Sequence, residues 1–138
     1  MGVHANFFVA RDAVAHQYVE NPTMFDPDSA DYKGMTTSEL SGLWALLQGV
    51  EWEMGLLDEF EIVVNEDEGE CTIERFPGPM VSALADLSAQ QAQLIAQKWY
   101  EADEFESPEL CAEILADLVR LARRALETRQ NVYLFNLV

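Results

Sequence analysis

A long amphipathic segment that runs directly into an apolar C-terminal stretch is the feature that most restricts the fold of this chain. Ser107, Pro108 and Glu109 supply an N-cap, a proline at the first helical position and an acid in the first turn, so they predict a helix start. The core-facing stripe of this helix is predicted to consist of Cys111, Ile114, Leu115, Leu118, Ala122 and Ala125. Residues 131–138 are predicted to follow as a strand, and their apolar character indicates that they are paired in a sheet.

Three further runs of aromatic and β-branched residues predict the rest of that sheet. Residues 3–10 form the first predicted strand. Residues 60–64 and 71–76 flank an acidic turn with one glycine, which is typical of a β-hairpin. Residues 22–35 contain proline, glycine and several aspartates with little periodicity, so they are predicted to be a long loop.

Helix starts are marked by two capping boxes, one joining Thr36 with Glu39 and the other joining Ser88 with Gln91. The helices predicted before the C-terminal segment cover about residues 13–20, 37–50, 79–84 and 89–102. No linker or repeat interrupts this order, so we expect a single globular domain over residues 1–138. The predicted class is α+β, with a mostly antiparallel sheet of about four strands and several helices packed against it.

The charge balance restricts the partners of this chain. It has 25 acidic and 8 basic residues, giving a formal net charge of −17 at pH 7. Such a surface repels nucleic-acid phosphates and anionic lipid headgroups, so we expect neither a nucleic-acid partner nor a membrane partner. The basic residues that cluster are Arg120, Arg123, Arg124 and Arg129. Their place at the end of the last predicted helix favours a role in complementing the helix dipole.

Targeting signals and cysteine usage predict a cytoplasmic protein. The first residues lack the basic start of a signal peptide, and no apolar run approaches the roughly 20 residues of a membrane span. Cys71 and Cys111 lie far apart in unlike contexts. We expect reduced core thiols, with a single disulfide as the alternative.

The order of four pieces resembles a known kind of protein. These are the strand after Met1-Gly2, the capped helix around Leu40 to Trp52, the Arg75-Phe76-Pro77-Gly78 sequence after the hairpin, and the arginine-rich helix that leads into residues 132–138. Together they resemble small bacterial proteins that belong to families of unknown function. The resemblance implies a bacterial, cytoplasmic protein and supplies no activity, cofactor, partner or site residue.

The aspartates of the predicted loop do not match a calcium-binding loop. Asp26, Asp28 and Asp31 have a similar spacing, but an EF-hand also needs an acid or amide at its fifth position, glycine at its sixth and glutamate at its twelfth. Counted from Asp26, these positions hold Ala30, Asp31 and Thr37. We therefore expect turn-forming aspartates rather than a calcium site.

Other chemistry has no local signature in the chain. The candidate ligands for a transition metal are His4, His16, Cys71 and Cys111. None of them falls at the spacing of a helical or paired zinc site, so no metal and no other cofactor is expected. No nucleophile elbow and no phosphate-binding glycine loop is present. No catalytic residue is predicted, and an enzyme remains the less favoured alternative.

Two acidic tracts provide the strongest functional signal. Residues 51–70 hold nine acids and residues 101–113 hold six, with no lysine or arginine in either tract, and aromatic side chains are interleaved with both. A negative patch that contains aromatics is typical of surfaces that recognise a basic protein. The predicted partner-binding residues are Glu53, Asp58, Glu59, Glu66, Asp67, Glu68, Glu70, Asp103, Glu104 and Phe105. The competing interpretation is that the acids serve solubility and the aromatics form core.

Three functional hypotheses follow. The first is a non-enzymatic module that binds a basic partner, such as an immunity-type inhibitor of a cationic toxin. The alternative is a small-molecule-binding or enzymatic domain, with a pocket between sheet and helices near residues 22–35. Tyr32 and Lys33 would belong to that pocket, which would be lined by Trp44, Trp52 or Trp99. The third hypothesis is a homo-oligomer that buries an apolar face between copies.

Overall fold

The computed structural model of the protein describes residues 3–103 and 105–138, so the predicted site residue Glu104 lies outside the described residues. The strands are β1 (His4–Ala10), β2 (Ser29–Lys33), β3 (Glu61–Glu66), β4 (Cys71–Arg75) and β5 (Asn131–Leu137). The helices are α1 (Thr37–Gln48), α2 (Gly78–Ala85), α3 (Ala89–Asp103) and α4 (Pro108–Thr128). Short 3-10 helices cover Ala15–Val19, Pro22–Phe25, Met54–Glu59 and Asp67–Gly69. The predicted α+β class is confirmed.

The sheet has five antiparallel strands in the order β2-β1-β5-β4-β3, so the prediction of about four strands was one too low. The C-terminal strand β5 lies at the centre, where Leu134 pairs with Phe7 of β1 and Phe135 pairs with Ile73 of β4. The additional strand is β2, which lies within residues 22–35 and therefore corrects the prediction of a continuous loop there.

Both faces of the sheet are covered. On one face, Phe7 and Leu134 belong to the main core, which the four α-helices complete. On the other face, Phe8 and Tyr133 belong to a second core, which also includes Tyr18 from the chain after β1. The predicted helix over residues 13–20 is a single 3-10 helix, Ala15–Val19, in this covering segment.

The predicted helix starts are formed by local side-chain hydrogen bonds. In the first capping box, Thr36 N donates to Glu39 Oε2 at 3.0 Å while the Thr36 hydroxyl accepts a backbone N–H. In the second, Gln91 N donates to Ser88 Oγ at 3.1 Å and Ser88 N donates to Gln91 Oε1 at 2.9 Å. At the start of α4, Leu110 N donates to the Ser107 hydroxyl at 3.1 Å. No helix in residues 3–103 and 105–138 combines the length and the apolarity needed to span a membrane.

The arginines of α4 connect this helix to other parts of the chain, which goes beyond the predicted role in the helix dipole. Arg123 donates to the carbonyl of Ala85 at 3.1 Å and to that of Leu87 at 2.7 Å, so it satisfies acceptors where α2 ends. Arg120 donates to two carbonyls of the chain before and within β2, and Arg124 pairs with Asp28 at 3.1 Å.

We expect Arg123→Lys to lower the free energy of unfolding by about 0.5–1 kcal/mol, measured by urea denaturation. Lysine retains the charge but lacks the planar fork that donates to two carbonyls at once. Arg129→Lys is the matched control, because Arg129 is exposed at the end of α4 and the same change there should be nearly neutral. Equal effects of the two substitutions would contradict a role for Arg123 at the end of α2.

Candidate functional site

A groove between α1 and the C-terminal end of α3 is the best candidate for a binding site. Its volume is about 430 Å³. Its lining includes Gly42, Leu46, Val50, Trp52, Ala102 and Asp103, and we refer to it as the α1–α3 groove. Trp52 comes from the first acidic tract and Asp103 from the second, so each tract contributes to the lining of the groove.

The segment after α1 presents alternating apolar and acidic side chains beside the groove. Val50, Trp52 and Met54 are 52%, 47% and 73% exposed, and the intervening Glu51 and Glu53 are exposed as well. Three large apolar side chains exposed within five residues form an unusual concentration for a soluble domain. This alternation is visible in the sequence and is the signal that would have identified the apolar part of the site.

The exposed indole of Trp52 is held in place by the protein. Its Nε1 donates to the hydroxyl of Ser41 at 2.7 Å, and that hydroxyl in turn donates to the carbonyl of Ser38 at 2.7 Å. Ser41 is fully buried in α1, so the indole is fixed to a rigid element. A half-exposed tryptophan that is already ordered loses little entropy when a partner covers it.

Asp103 forms an acidic part of the groove wall. Its Oδ2 is buried and has no hydrogen-bond partner among the described residues, while the residue as a whole is only partly buried. Burial, together with the nearby carboxylate of Glu39, raises the pKa of Asp103 above its usual value, and the nearby Trp99 indole opposes this shift. The hydrogen bond of that indole with good geometry goes to the carbonyl of Glu39, at 2.9 Å. Gly42 of α1 faces this carboxylate so closely that a Cβ added at Gly42 would lie 2.6 Å from Oδ2.

The other predicted site residues do not gather at the groove. Four of them, Glu66, Asp67, Glu68 and Glu70, are exposed around the β3–β4 turn. The groove residue Asp103, by contrast, lies near Lys33 at the end of β2, beside the opposite edge of the sheet. The two edges are four strand spacings apart, or roughly 19 Å. The acidic tracts therefore form several patches rather than one.

The remaining predicted residues that the structure describes do not line the groove. Glu53 directly follows Trp52 and is exposed, and Asp58 is exposed on the 3-10 helix Met54–Glu59. Glu59 accepts a hydrogen bond from the Trp44 indole at 3.1 Å, so this carboxylate supports α1. Phe105 is partly buried and packs edge-to-face on Trp99 with ring centroids 4.7 Å apart.

A second cavity of about 470 Å³ lies beside the end of β2, next to the groove and sharing Asp103 with it. Tyr32 and Lys33 line this cavity, which occupies the position predicted for a small-molecule pocket. The Tyr32 hydroxyl donates to Asp117 of α4, and burial raises the pKa of this phenol, so it stays neutral.

The predicted tryptophan lining of that pocket was wrong. Trp44 and Trp99 are 5% and 0% exposed and belong to the main core. The indole N–H of Trp44 donates to the Glu59 carboxylate, and that of Trp99 donates to the carbonyl of Glu39. Trp52 lines the α1–α3 groove instead.

A separate polar cluster fixes the second face of the sheet. Asp12 accepts hydrogen bonds from Tyr133, Asn131 and Arg75, and Arg75 also pairs with Glu61. The hydrogen bond from Tyr133 is the main cause that lowers the pKa of Asp12, with Arg75 and Asn131 acting in the same direction. These contacts join the chain after β1 to strands β3, β4 and β5.

The candidate metal ligands and the two cysteines of the described part of the chain are not arranged for metal binding or thiol reactivity. Its His, Cys, Asp and Glu side chains form no group of three that could hold a metal ion. The carboxylate of Asp26 accepts from Ser29 Oγ at 2.7 Å, as expected for a turn-forming aspartate. Cys71 and Cys111 are free and buried, and burial raises the pKa of Cys111 to about 12, which disfavours a reactive thiolate.

Comparisons of the chain with models of protein families, with curated proteins and with solved structures find no match. The resemblance noted in the sequence therefore supplies no residue roles. The fold and the site define an acidic α+β protein with a groove that is lined in part by a half-exposed tryptophan.

Proposed function

We propose that this protein is a non-enzymatic binding module that engages a basic protein partner through the α1–α3 groove. The observation that carries the proposal is that each acidic tract contributes to the lining of the groove, the first through Trp52 and the second through Asp103. Tryptophan anchors inside a desolvated pocket dominate the energetics of many interfaces. Acidic groups around such an anchor favour partners that carry lysine and arginine.

The charge of the whole chain supports the same kind of partner. At a net charge of −17, association with a cationic surface is accelerated by long-range attraction, and anionic partners are repelled. A cationic toxin that this module inhibits is the concrete instance we favour. The two free buried thiols are of the kind found in reducing compartments, which supports the proposal that the module is cytoplasmic.

The test is a titration of the ¹⁵N-labelled protein with a short amphipathic peptide of lysine and leucine, followed by NMR. We expect saturable shifts of the Trp52 indole N–H and of groove amides, with an affinity that falls as salt rises. The peptide with glutamate in place of lysine is the probe control and should leave these signals unchanged. Equal shifts with both peptides, or none with either, would overturn the proposal.

A matched pair of charge-reversal variants separates the groove from general electrostatics. Glu51→Lys with Glu53→Lys should weaken peptide binding about tenfold or more, because both residues flank Trp52. Glu66→Lys with Glu70→Lys changes the net charge by the same amount at the β3–β4 turn and should have a much smaller effect. Equal losses in the two variants would mean that only the overall charge matters.

Small-molecule binding is a second candidate, favoured by the cavity of about 470 Å³ beside Tyr32 and Lys33. Ligands that raise the melting temperature and shift the signals of these two residues, while leaving the Trp52 indole N–H unchanged, would support this candidate over protein binding.

A further inference from the structure

We propose that Asp103 is the specificity-determining residue of the α1–α3 groove and receives one lysine or arginine side chain of the basic partner. This inference rests on the proposed function and makes it more specific, because it names the side chain recognised and the residue that recognises it. Its basis is an unsatisfied carboxylate oxygen held against a glycine in the wall of the groove.

The unsatisfied oxygen is the first part of the argument. Buried polar atoms in folded proteins almost always have a hydrogen-bond partner, and a charged group left without one is destabilising. Oδ2 of Asp103 makes no hydrogen bond among the described residues, although the Trp99 indole lies close enough to this carboxyl to oppose the rise of its pKa. Oδ2 itself is packed against Gly42, whereas Asp103 as a whole is partly exposed and lines both the groove and the cavity beside β2. A ligand that brings a positive charge to the exposed part of Asp103 would offset part of this cost through its attraction to the carboxylate.

Gly42 provides the second part. It lies in the interior of α1, where glycine is about 1 kcal/mol less favourable than alanine. Alanine at this position would place its Cβ 2.6 Å from Asp103 Oδ2, so it would force the carboxylate out of its position. Glycine inside a helix and a buried carboxylate oxygen without a donor are each unfavourable in general, and here the two are in contact at one point of the groove. Such paired departures from local rules are expected at functional sites.

The surroundings select a cation with an aliphatic stem. Leu46, Val50 and the Trp52 ring line the groove and would contact the methylene groups of lysine or arginine. A tryptophan face also attracts ammonium and guanidinium groups. Glu39 lies near Asp103 and adds negative charge, so an anionic or neutral occupant is disfavoured. Arginine has the additional advantage that its guanidinium matches a carboxylate with two parallel hydrogen bonds.

The experiment uses n-butylguanidinium and n-butylammonium chloride as probes of the two side chains, with n-butanol and sodium chloride as controls. The full chain is labelled with ¹³C and ¹⁵N, and the readouts are the Asp103 carboxyl carbon, the Gly42 amide and the Trp52 indole N–H. We expect saturable shifts at all three with either cation and none with butanol. Shifts that grow linearly and equally at acids such as Asp58 would overturn the inference, since they indicate nonspecific attraction.

Two variants make the assignment sharper. Asp103→Asn should weaken binding of both cations about tenfold or more without lowering the melting temperature, and Gly42→Ala should do the same by displacing the carboxylate. Asp58→Asn is the control, because it removes an exposed acid and should leave cation binding unchanged. Unchanged cation binding by Asp103→Asn would overturn the inference.

The outcome for this site can be separated from the outcome for the proposed function. If the lysine–leucine peptide binds the groove equally well in wild type and in Asp103→Asn, the inference fails and the protein-binding function stands. If butylguanidinium binds at Asp103 but the peptide does not bind, the cation site stands and the protein-binding function fails.

Discussion

Replacing Phe8 with alanine is expected to lower the free energy of unfolding by about 3–5 kcal/mol. Phe8 is fully buried at the centre of the second core. Its ring stacks on Tyr18 with centroids 4.2 Å apart and on Tyr133 at 5.2 Å, and it contacts Phe25 at 5.1 Å. The substitution removes the ring that joins residues 11–28 to the sheet, so that segment should also lose protection against hydrogen exchange.

The measurement is urea denaturation followed by tryptophan fluorescence, combined with amide exchange. The expected loss is a large share of the roughly 5–15 kcal/mol by which single domains are stable. Met24→Ala is the matched control, because Met24 lies in the same covering segment but is 53% exposed, and its loss should stay within about 0.5 kcal/mol. A loss below about 1 kcal/mol for Phe8→Ala would contradict the packing of residues 11–28 on this face.

The elements predicted from the sequence are those whose signals are local. The starts of α1, α3 and α4 depend on a hydroxyl and a backbone N–H two or three residues apart, so Thr36, Ser88 and Ser107 indicate them directly. The hairpin of β3 and β4 is recognised in the same way, because its two strands and turn are contiguous. The placement of β5 at the centre of the sheet, by contrast, depends on partners more than a hundred residues away.

Strand β2 could not be predicted because its structure depends on distant parts of the chain. Its five residues are mostly polar or charged, and only Ala30 and Tyr32 pack against the main core. It is held by pairing with β1, by the Tyr32–Asp117 hydrogen bond and by donors from Arg120 of α4. None of these contacts has a signature within residues 22–35. The proline and glycine residues of this segment therefore favoured the prediction of a loop.

The candidate site was predicted in part. Both acidic tracts are evident in the sequence, but nothing in the sequence distinguishes Trp52 from Phe60 among the aromatic residues of the first tract. Phe60 is 3% exposed and packs edge-to-face on Phe76 with centroids 5.6 Å apart, whereas Trp52 is half-exposed. Whether an aromatic is core or surface is decided by how the chain turns after α1, and this is tertiary information. The same holds for Asp103, whose burial against Gly42 joins two helices that are distant in sequence.

The second large effect concerns the dependence of stability on pH. We expect Asp103→Asn to raise the free energy of unfolding by about 1 kcal/mol at neutral pH, because it removes the charge of a partly buried carboxyl whose Oδ2 makes no hydrogen bond among the described residues. Burial raises the pKa of Asp103 in the folded state, so the folded protein binds this proton more tightly than the unfolded chain does. The wild type should therefore gain stability as the pH falls through the raised pKa toward the usual value of 3.8. Over that range the advantage of the Asn variant should shrink.

Asp12→Asn is the control with the opposite sign. Hydrogen bonds from Tyr133, Asn131 and Arg75 lower the pKa of Asp12, so this carboxylate contributes stability above its unfolded pKa and loses that contribution as the pH falls. The variant should consequently be less stable than wild type at neutral pH, and the deficit should diminish in acid. Urea denaturation of the three proteins from neutral pH to well below 3.8, the usual pKa of an aspartate, measures both trends. If Asp103→Asn were less stable than wild type at neutral pH, the carboxylate would have donors in solution, and the reason for assigning a partner's cation to it would disappear.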